Sequence, residues 1–319
     1  MTTITIEKAA AMLAQQDHIL VLMHKSPDGD AIGCAYGLCK ALRKMGKQAQ
    51  PLCSDPISAR YDYLTSGFEV QHFDPAFIVS VDLADTKLLG DALMPYADRI
   101  DLCIDHHGSN TGFARYGTVD ASAAACAQLL IPLIKAMGAV IDKPVADAVF
   151  TGITTDTGCF KFSNTNADTH HLAAEMIECG ADSAMINRIM FDTKSRERLD
   201  LEKRALETLR YACDGKIAVI SITAAMMQES GAEDSDMDGI ASIPRQIQGV
   251  KVGITVKEKE NGVFKISVRT TDDVDACAIC KTLGGGGHRA ASGCSVAGTL
   301  EEATRRILAA AETVLEEQT

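Results

Sequence analysis

Hydrophobic positions in this chain fall into two textures, and the change between them comes near residue 214. Before it, short and nearly unbroken apolar runs alternate with stretches of helical spacing. The runs His18–Met23, Gln48–Cys53, Asp74–Asp82 and Ile100–Asp105 read as strands buried on both faces, as in a parallel sheet. Around them the spacing predicts helices over 1–17, 31–46, 84–93, 121–137 and 144–155. The fourth is broken or bent at Pro132, and the last has Pro144 at its start. Residues 165–198 read as helical throughout, and 199–211 continue as a charged helix suited to bridging two lobes. Such alternation predicts an α/β domain, a parallel sheet with helices on both faces.

Past Asp214-Gly215 the pattern becomes strand-rich. Lys216–Thr223, Val250–Lys257 and Gly262–Thr270 read as strands, with a hairpin turn at Glu260-Asn261-Gly262. Residues 231–238 form an acidic loop and 300–317 a closing helix. The expected organisation is a domain over 1–190, a helical linker over 191–214, and a smaller mixed α+β domain over 215–319.

Composition narrows the function. A chain of 319 residues with 46% hydrophobic content can build two cores. Its net charge of −12 argues against long, non-specific nucleic-acid binding and offers no evident basic track for a long strand. It leaves room for a short nucleotide-like anion held locally. The eleven cysteines are odd in number and scattered through apolar runs, so a disulfide framework is not expected. Cys277 and Cys280 have zinc-site spacing, with His288 and Cys294 downstream, but no second paired motif completes the pattern. The N-terminus lacks the regions of a signal peptide, and no apolar run approaches the roughly 18 residues of a membrane span. The expected location is the cytoplasm.

Candidate chemistry gathers where strands end. His24, Asp28 and Asp30 lie between the first strand and the helix after it, at the edge where open α/β sheets place ligands. Asp82 closes the third strand, Asp105-His106-His107 the fourth, and Asp156 follows a helical segment in Thr151–Gly158. Singly, each Asp reads as a cap or turn former. Together they can converge, because parallel strands bring their carboxyl ends to one edge. Carboxylates with imidazoles suit two Mn²⁺ or Co²⁺ ions better than Mg²⁺. A pair of metals roughly 3.5–4 Å apart can activate a water and neutralise a phosphoryl group. The reaction class is phosphate ester or anhydride hydrolysis.

His24-x-x-x-Asp28-x-Asp30, the Asp82 segment, Asp105-His106-His107 and Thr155-Asp156-Thr157-Gly158 resemble the four ordered motifs of the DHH phosphoesterases. Gly284–Gly293 resembles the signature of the DHH-associated C-terminal domain, so the likeness spans essentially the whole chain. The nearest subgroup is the bacterial oligoribonucleases that also act on the 3′,5′-bisphosphate nucleotide pAp.

The resemblance implies roles residue by residue. His24, Asp28 and Asp82 hold one metal; Asp30, Asp82, His106 and Asp156 hold the other, with Asp82 bridging. His107 faces the scissile phosphate, and Asp105 orients a ligand histidine. Asn110, Arg269, the glycines Gly285, Gly286 and Gly287 as an anion-cradling nest, His288 and Arg289 meet the substrate. The implied cofactors are two divalent ions, Mn²⁺ preferred, with Mg²⁺ or Co²⁺ allowed. The implied substrates are 5′-phosphorylated di- to pentanucleotides of RNA, pAp, or linear and cyclic dinucleotides; no membrane is implied, and a homodimer is allowed. Alternatives are a cyclic-dinucleotide phosphodiesterase and a manganese pyrophosphatase, though the latter lacks the Gly284–His288 loop. Ser122–Cys126 and Lys161 depart from the family pattern, where relatives often carry Thr then Glu, and Arg.

Overall fold

The computed structural model describes residues 1–237, 239–271 and 273–317, so the acidic loop expected over 231–238 falls partly outside it, at Asp238. The chain divides into two compact units, Met1–Thr193 and Lys194–Thr319. Among the described residues no helix is long and apolar enough to cross a membrane.

In the first unit, strand β1 (Thr2–Thr3) precedes helix α1 (Ile6–Gln15), and β2 (Ile19–Leu22) leads into α2 (Gly29–Lys44) and β3 (Ala49–Leu52). A short helix α3 (Asp62–Thr65) precedes β4 (Phe77–Val81), β5 (Leu102–Asp105) and β6 (Tyr116–Val119). Helices α4 (Cys126–Ala136), α5 (Lys143–Asp156), α6 (Ala167–Glu178) and α7 (Ser183–Asn187) follow. The six strands run parallel in the order β1-β6-β5-β4-β2-β3. All residues of β2, β4 and β5 are buried, as their unbroken apolar runs require.

The faces of this sheet are covered unequally. One carries Val21 and Val79, which share a core with Leu13 of α1, Ile32 and Leu38 of α2, Leu130 of α4 and Val149 of α5. On the other, Leu20, Ile78 and Cys103 meet Leu89 and Leu93. The helix expected over 84–93 is instead a three-residue 3₁₀ turn, Thr86–Leu88, followed by a second 3₁₀ stretch over Met94–Arg99. Gly90 at φ +77° and Pro95 near the start of the second turn prevent a longer helix. Helicity over 165–198 is likewise interrupted: α6 ends at Glu178, Gly180 takes φ +99°, and a π-helical turn over Arg188–Asp192 closes the unit.

A row of glycines on α2, at 29, 33 and 37, brings it against α5. A Cβ on Gly33 would overlap the carbonyl oxygen of Ala148, and one on Gly29 would overlap Thr155. Only bare backbone permits that approach. It sets the start of α2, with Asp28 and Asp30, beside the end of α5, with Asp156.

The second unit begins with α8 (Arg196–Glu207), whose Leu201 and Ala205 share a core with Ile220 and Ile222 of a strand in this unit. The helix read over 199–211 ends there, because Arg210–Ala212 pairs as β7 with β8 (Ile217–Ile222). Helix α9 (Ala224–Ser230), β9 (Val252–Glu258), β10 (Val263–Thr270), α10 (Ala276–Lys281), β11 (Gly286–Gly287), β12 (Ala291–Ala297) and α11 (Leu300–Glu317) complete it. Its sheet, ordered β11-β12-β10-β9-β8-β7, is mixed, since only β8 and β9 pair in parallel. Asn261 at φ +59° and Gly262 at +66° form the tight reversal between β9 and β10.

Candidate active site

Neighbouring parallel strands β2, β4 and β5 end at one edge, and the chemistry-bearing side chains follow directly. His24 lies just beyond β2. Its Nδ1 donates to the carbonyl of Lys25 (2.8 Å), which turns Nε2 toward Asp28 (3.8 Å) and Asp82 (3.7 Å). Asp28 caps α2 by accepting from the N–H groups of Asp30 (3.0 Å) and Ala31 (3.1 Å).

His106 follows β5. Its Nδ1 donates to the carbonyl of Ala123 (3.2 Å), and Nε2 faces Asp156 (3.2 Å), Asp82 (3.5 Å) and Asp30 (3.9 Å). Three triads therefore form, each with donor atoms within 4.8 Å of one another: His24, Asp28 and Asp82; Asp30, His106 and Asp156; Asp82, His106 and His107.

Asp82 is the residue around which these sets turn. It is 3% exposed, takes φ +52°, and its Oδ1 is buried with no hydrogen-bond partner. A left-handed, non-glycine residue costs of order 1–3 kcal/mol, and an unsatisfied buried oxygen adds to that. A divalent cation would satisfy the oxygen, and carboxylates with imidazoles are a fitting donor set for one.

Charge inside the cluster is balanced by proximity. Burial pulls His24 down, but Asp28 and Asp82 outweigh it and raise the ring to about 11. His106, lowered by burial, is raised to about 10 by Asp82 and Asp30. Burial alone would lift Asp82, yet His106 and His24 hold it well below the usual carboxylate range. Asp156 goes the other way: burial, then Asp28 and Asp82, push it up to about 7. Asp30 is raised by complete burial, with Asp82 and Asp156 adding to it. The site holds more acid than its two inward histidines can neutralise, which again suits a cation.

Asp30 is pinned by a partner far along the chain. Its carboxylate accepts from the N–H groups of Cys126 (2.5 Å) and Ala127 (2.9 Å), the open start of α4. Gly152 leaves room for it, since a Cβ there would lie 2.6 Å from its Oδ1. Sequence reasoning did not find these supports. The glycines spaced four apart at 29, 33 and 37 were the available signal; the carbonyls of Lys25 and Ala123 left none.

Asp105 and Asn110 form a supporting chain. Asp105 is fully buried and accepts from His107 Nδ1 (2.8 Å) and the His106 N–H (2.9 Å). The residue it orients through a ring nitrogen is thus His107, whose side chain is 42% exposed. Asn110 was expected to meet substrate. Its amide instead donates to Asp105 Oδ2 (2.7 Å) and the Leu83 carbonyl (3.2 Å), and its Oδ1 accepts from the Gly112 N–H (2.8 Å). With donors and acceptor occupied, it positions Asp105.

Residues 18–153 match the model of the DHH family, N-terminal domain, and 214–317 match the DHHA1 domain. The chain is 34% identical to the bifunctional oligoribonuclease and PAP phosphatase NrnA of Thermus thermophilus, over 98% of this chain and 93% of the relative. It belongs to the DHH family. A second similar protein, the same-named enzyme of Bacillus subtilis, is 25% identical over 94% of this chain and 96% of its own. The crystal structure of an exopolyphosphatase-related protein from Bacteroides fragilis superposes with a TM-score of 0.86 at 25% identity, covering 97% of this chain and 95% of that one.

The remaining expected residues lie in the DHHA1 unit. Arg269 is half-buried near the end of β10 and donates to the Val268 carbonyl (3.0 Å). The glycine run differs from the open nest expected of it. The N–H groups of Gly284, Gly285 and His288 donate to Lys281, Cys280 and Ala291 carbonyls, while Gly286 and Gly287 pair with Gly293 and Ser292. A Cβ on Gly285 or Gly287 would strike β12, so these glycines serve close approach of backbone to backbone. Gly286 has nothing within 4 Å of its Cβ position, and His288 and Arg289 are exposed beside it. All eleven cysteines are free, and Cys280 and Cys294 are buried in the core of this unit.

Proposed function

We propose that this protein is a divalent-metal-dependent phosphoesterase that hydrolyses short 5′-phosphorylated oligoribonucleotides to mononucleotides and removes the 3′-phosphate of pAp. The observation that carries the reading is Asp82, a strained, buried carboxylate with an unpartnered oxygen, shared between donor triads. Likeness to NrnA of Thermus thermophilus along the whole chain supports the substrate class.

His24, Asp28 and Asp82 would hold one ion, and Asp30, Asp82, His106 and Asp156 the other. Two imidazoles among the ligands favour Mn²⁺ over Mg²⁺. Once bound, such ions supply charge for the phosphoryl oxygens and acidify a water. His107 would face the scissile phosphate: its Nδ1 donates to Asp105, which leaves Nε2 to meet the substrate. Arg269, His288 and Arg289, beside the Cβ-free glycine loop, would take a phosphate other than the one cleaved. The unpaired cysteines suit a reducing cytoplasm.

The test is a product time course with Mn²⁺ on pAp, a 5′-phosphorylated dinucleotide and a long RNA in parallel. Rapid conversion of the first two, and slow conversion of the third, is the expected outcome. Full activity in excess chelator would remove the metal mechanism. Equal rates on all RNA lengths with inert pAp would remove the substrate assignment.

A further inference from the structure

Part of the metal cluster leans on a stretch of chain with no polar side chain of its own. Residues 123–125 are alanines, and Ala125 stands at the start of α4 with no side chain capping the helix. The first N–H groups of a helix need acceptors from elsewhere. Those of Cys126 and Ala127 find the Asp30 carboxylate. Just before them, the Ala123 carbonyl accepts from His106 Nδ1. The segment Ala123–Ala127 therefore orients two members of the triad Asp30, His106 and Asp156.

Alanines cannot fix their own course, so the groups that fix them matter. Two side chains grip Ala124, one at each of its backbone polar groups. Gln128, 7% exposed in the first turn of α4, accepts the Ala124 N–H at its Oε1 (2.7 Å). The same oxygen lies 3.3 Å from the Thr169 hydroxyl of α6. Asn164, in the loop between α5 and α6, donates from Nδ2 to the Ala124 carbonyl (3.0 Å). That amide also donates to the backbone carbonyl of Asp156 (3.1 Å). The third member of the triad is thereby tied to the same point.

The other triad is set by different groups. His24 is turned by the Lys25 carbonyl, and Asp28 is held at the start of α2. Neither Gln128 nor Asn164 hydrogen-bonds a carboxylate or an imidazole of the cluster. Whatever they do for a metal, they do through the backbone of Ala124 and Asp156.

We propose that Gln128 and Asn164 are positioning residues for one of the two ions, the one that Asp30, His106 and Asp156 would hold. It rests on the two-ion reading given above. Loosening Ala124 frees the segment that aims Asp30 and His106, and spares His24 and Asp28.

Calorimetric titration of Mn²⁺ into the metal-stripped, full-length protein tests this. Wild type should take up two ions. Gln128→Met keeps the side chain's length and removes the accepting oxygen, while Asn164→Ala removes the amide donor at an exposed position. In each variant the affinity for one ion should fall about 10–100-fold, and that for the other should hold within about threefold. Crystals of either variant grown at limiting Mn²⁺ should show anomalous scattering beside His24 and Asp28, and none beside His106 and Asp156. A general loosening of the fold would weaken both ions together. Equal weakening of both, loss of the ion beside His24, or unchanged binding in a folded variant would each overturn the clamp and leave the two-ion reading intact. If Gln128→Met does not fold, Asn164→Ala decides alone. A wild-type protein that takes up fewer than two ions would overturn both.

Discussion

Around Asp82 every histidine faces a carboxylate, whereas on the β9–β10 face lysine stands opposite lysine. The first cluster is neutralised only in part from within and is fixed from behind: His24 by the Lys25 carbonyl, His106 by Ala123, His107 by Asp105, and Asp30 by the start of α4. In the second, strand register sets Lys257 across from Lys265. A cluster completed by its own neighbours is preorganised, and its loss is abrupt. Side chains presented one by one from a strand face act singly, and their loss is graded.

The hardest blow to the contrast is Asp82→Ala, which removes the residue common to both proposed metal sets. Turnover should drop by more than about 10³-fold, and the purified variant should carry less metal by elemental analysis. Near wild-type turnover would mean that Asp82 is not the shared ligand. His107→Ala should cost about 10²–10³-fold in kcat with metal content intact, because its ring is held by Asp105 and presented outward. Loss of a metal equivalent would place it among the ligands. Asn110→Ala reaches the same ring through Asp105 and should cost about 10–100-fold.

Arg269→Ala tests the graded side. Removing one donor from a charge-assisted contact loses roughly 1.5–3 kcal/mol. The KM for a phosphorylated dinucleotide should therefore rise about 10–100-fold, while hydrolysis of bis-p-nitrophenyl phosphate holds steady. A parallel loss on both substrates would make Arg269 a support of the fold.

The smallest effect is a pH profile of stability in chelator. His24 and His106 are raised to about 11 and about 10 in the folded state, against about 6.5 when unfolded. Their contribution is present in full below the unfolded value and is lost as pH climbs through the folded ones. The melting temperature of the metal-free protein should thus decline between about pH 7 and pH 10. Saturating Mn²⁺ should flatten that decline, since the ion takes the place of the protons. A metal-free profile flat over this range would contradict the charge balance described for the cluster.

Much of the fold could be read from the chain because strands buried on both faces write themselves as unbroken apolar runs. β2, β4 and β5 were visible for that reason, and so were the residues at their ends. Other features depend on partners far away in sequence. β1 is two residues long and exists only by pairing with β6 across more than a hundred positions. Arg210–Ala212 has no strand-like pattern of its own and is made a strand by β8. The facing lysines were hidden differently. Lys257 and Lys265 each sit in an alternating strand, but their opposition appears only once register is known, and the acidic average of the chain masks it. Asn110 was read by its motif neighbours, while its actual contacts run to Asp105, Leu83 and Gly112.

Asp82 also sets the terms on which this enzyme could be made sturdier. Glycine adopts φ near +50° without strain and would remove the unpartnered Oδ1. It would also strip His24 and His106 of the carboxylate they share, and leaving buried charge without its partner is strongly destabilising. Relief of the backbone strain is therefore closed off by that route. A sturdier protein has to keep this aspartate and gain its heat tolerance elsewhere, so the carboxylate that turnover needs also holds the metal-free fold together.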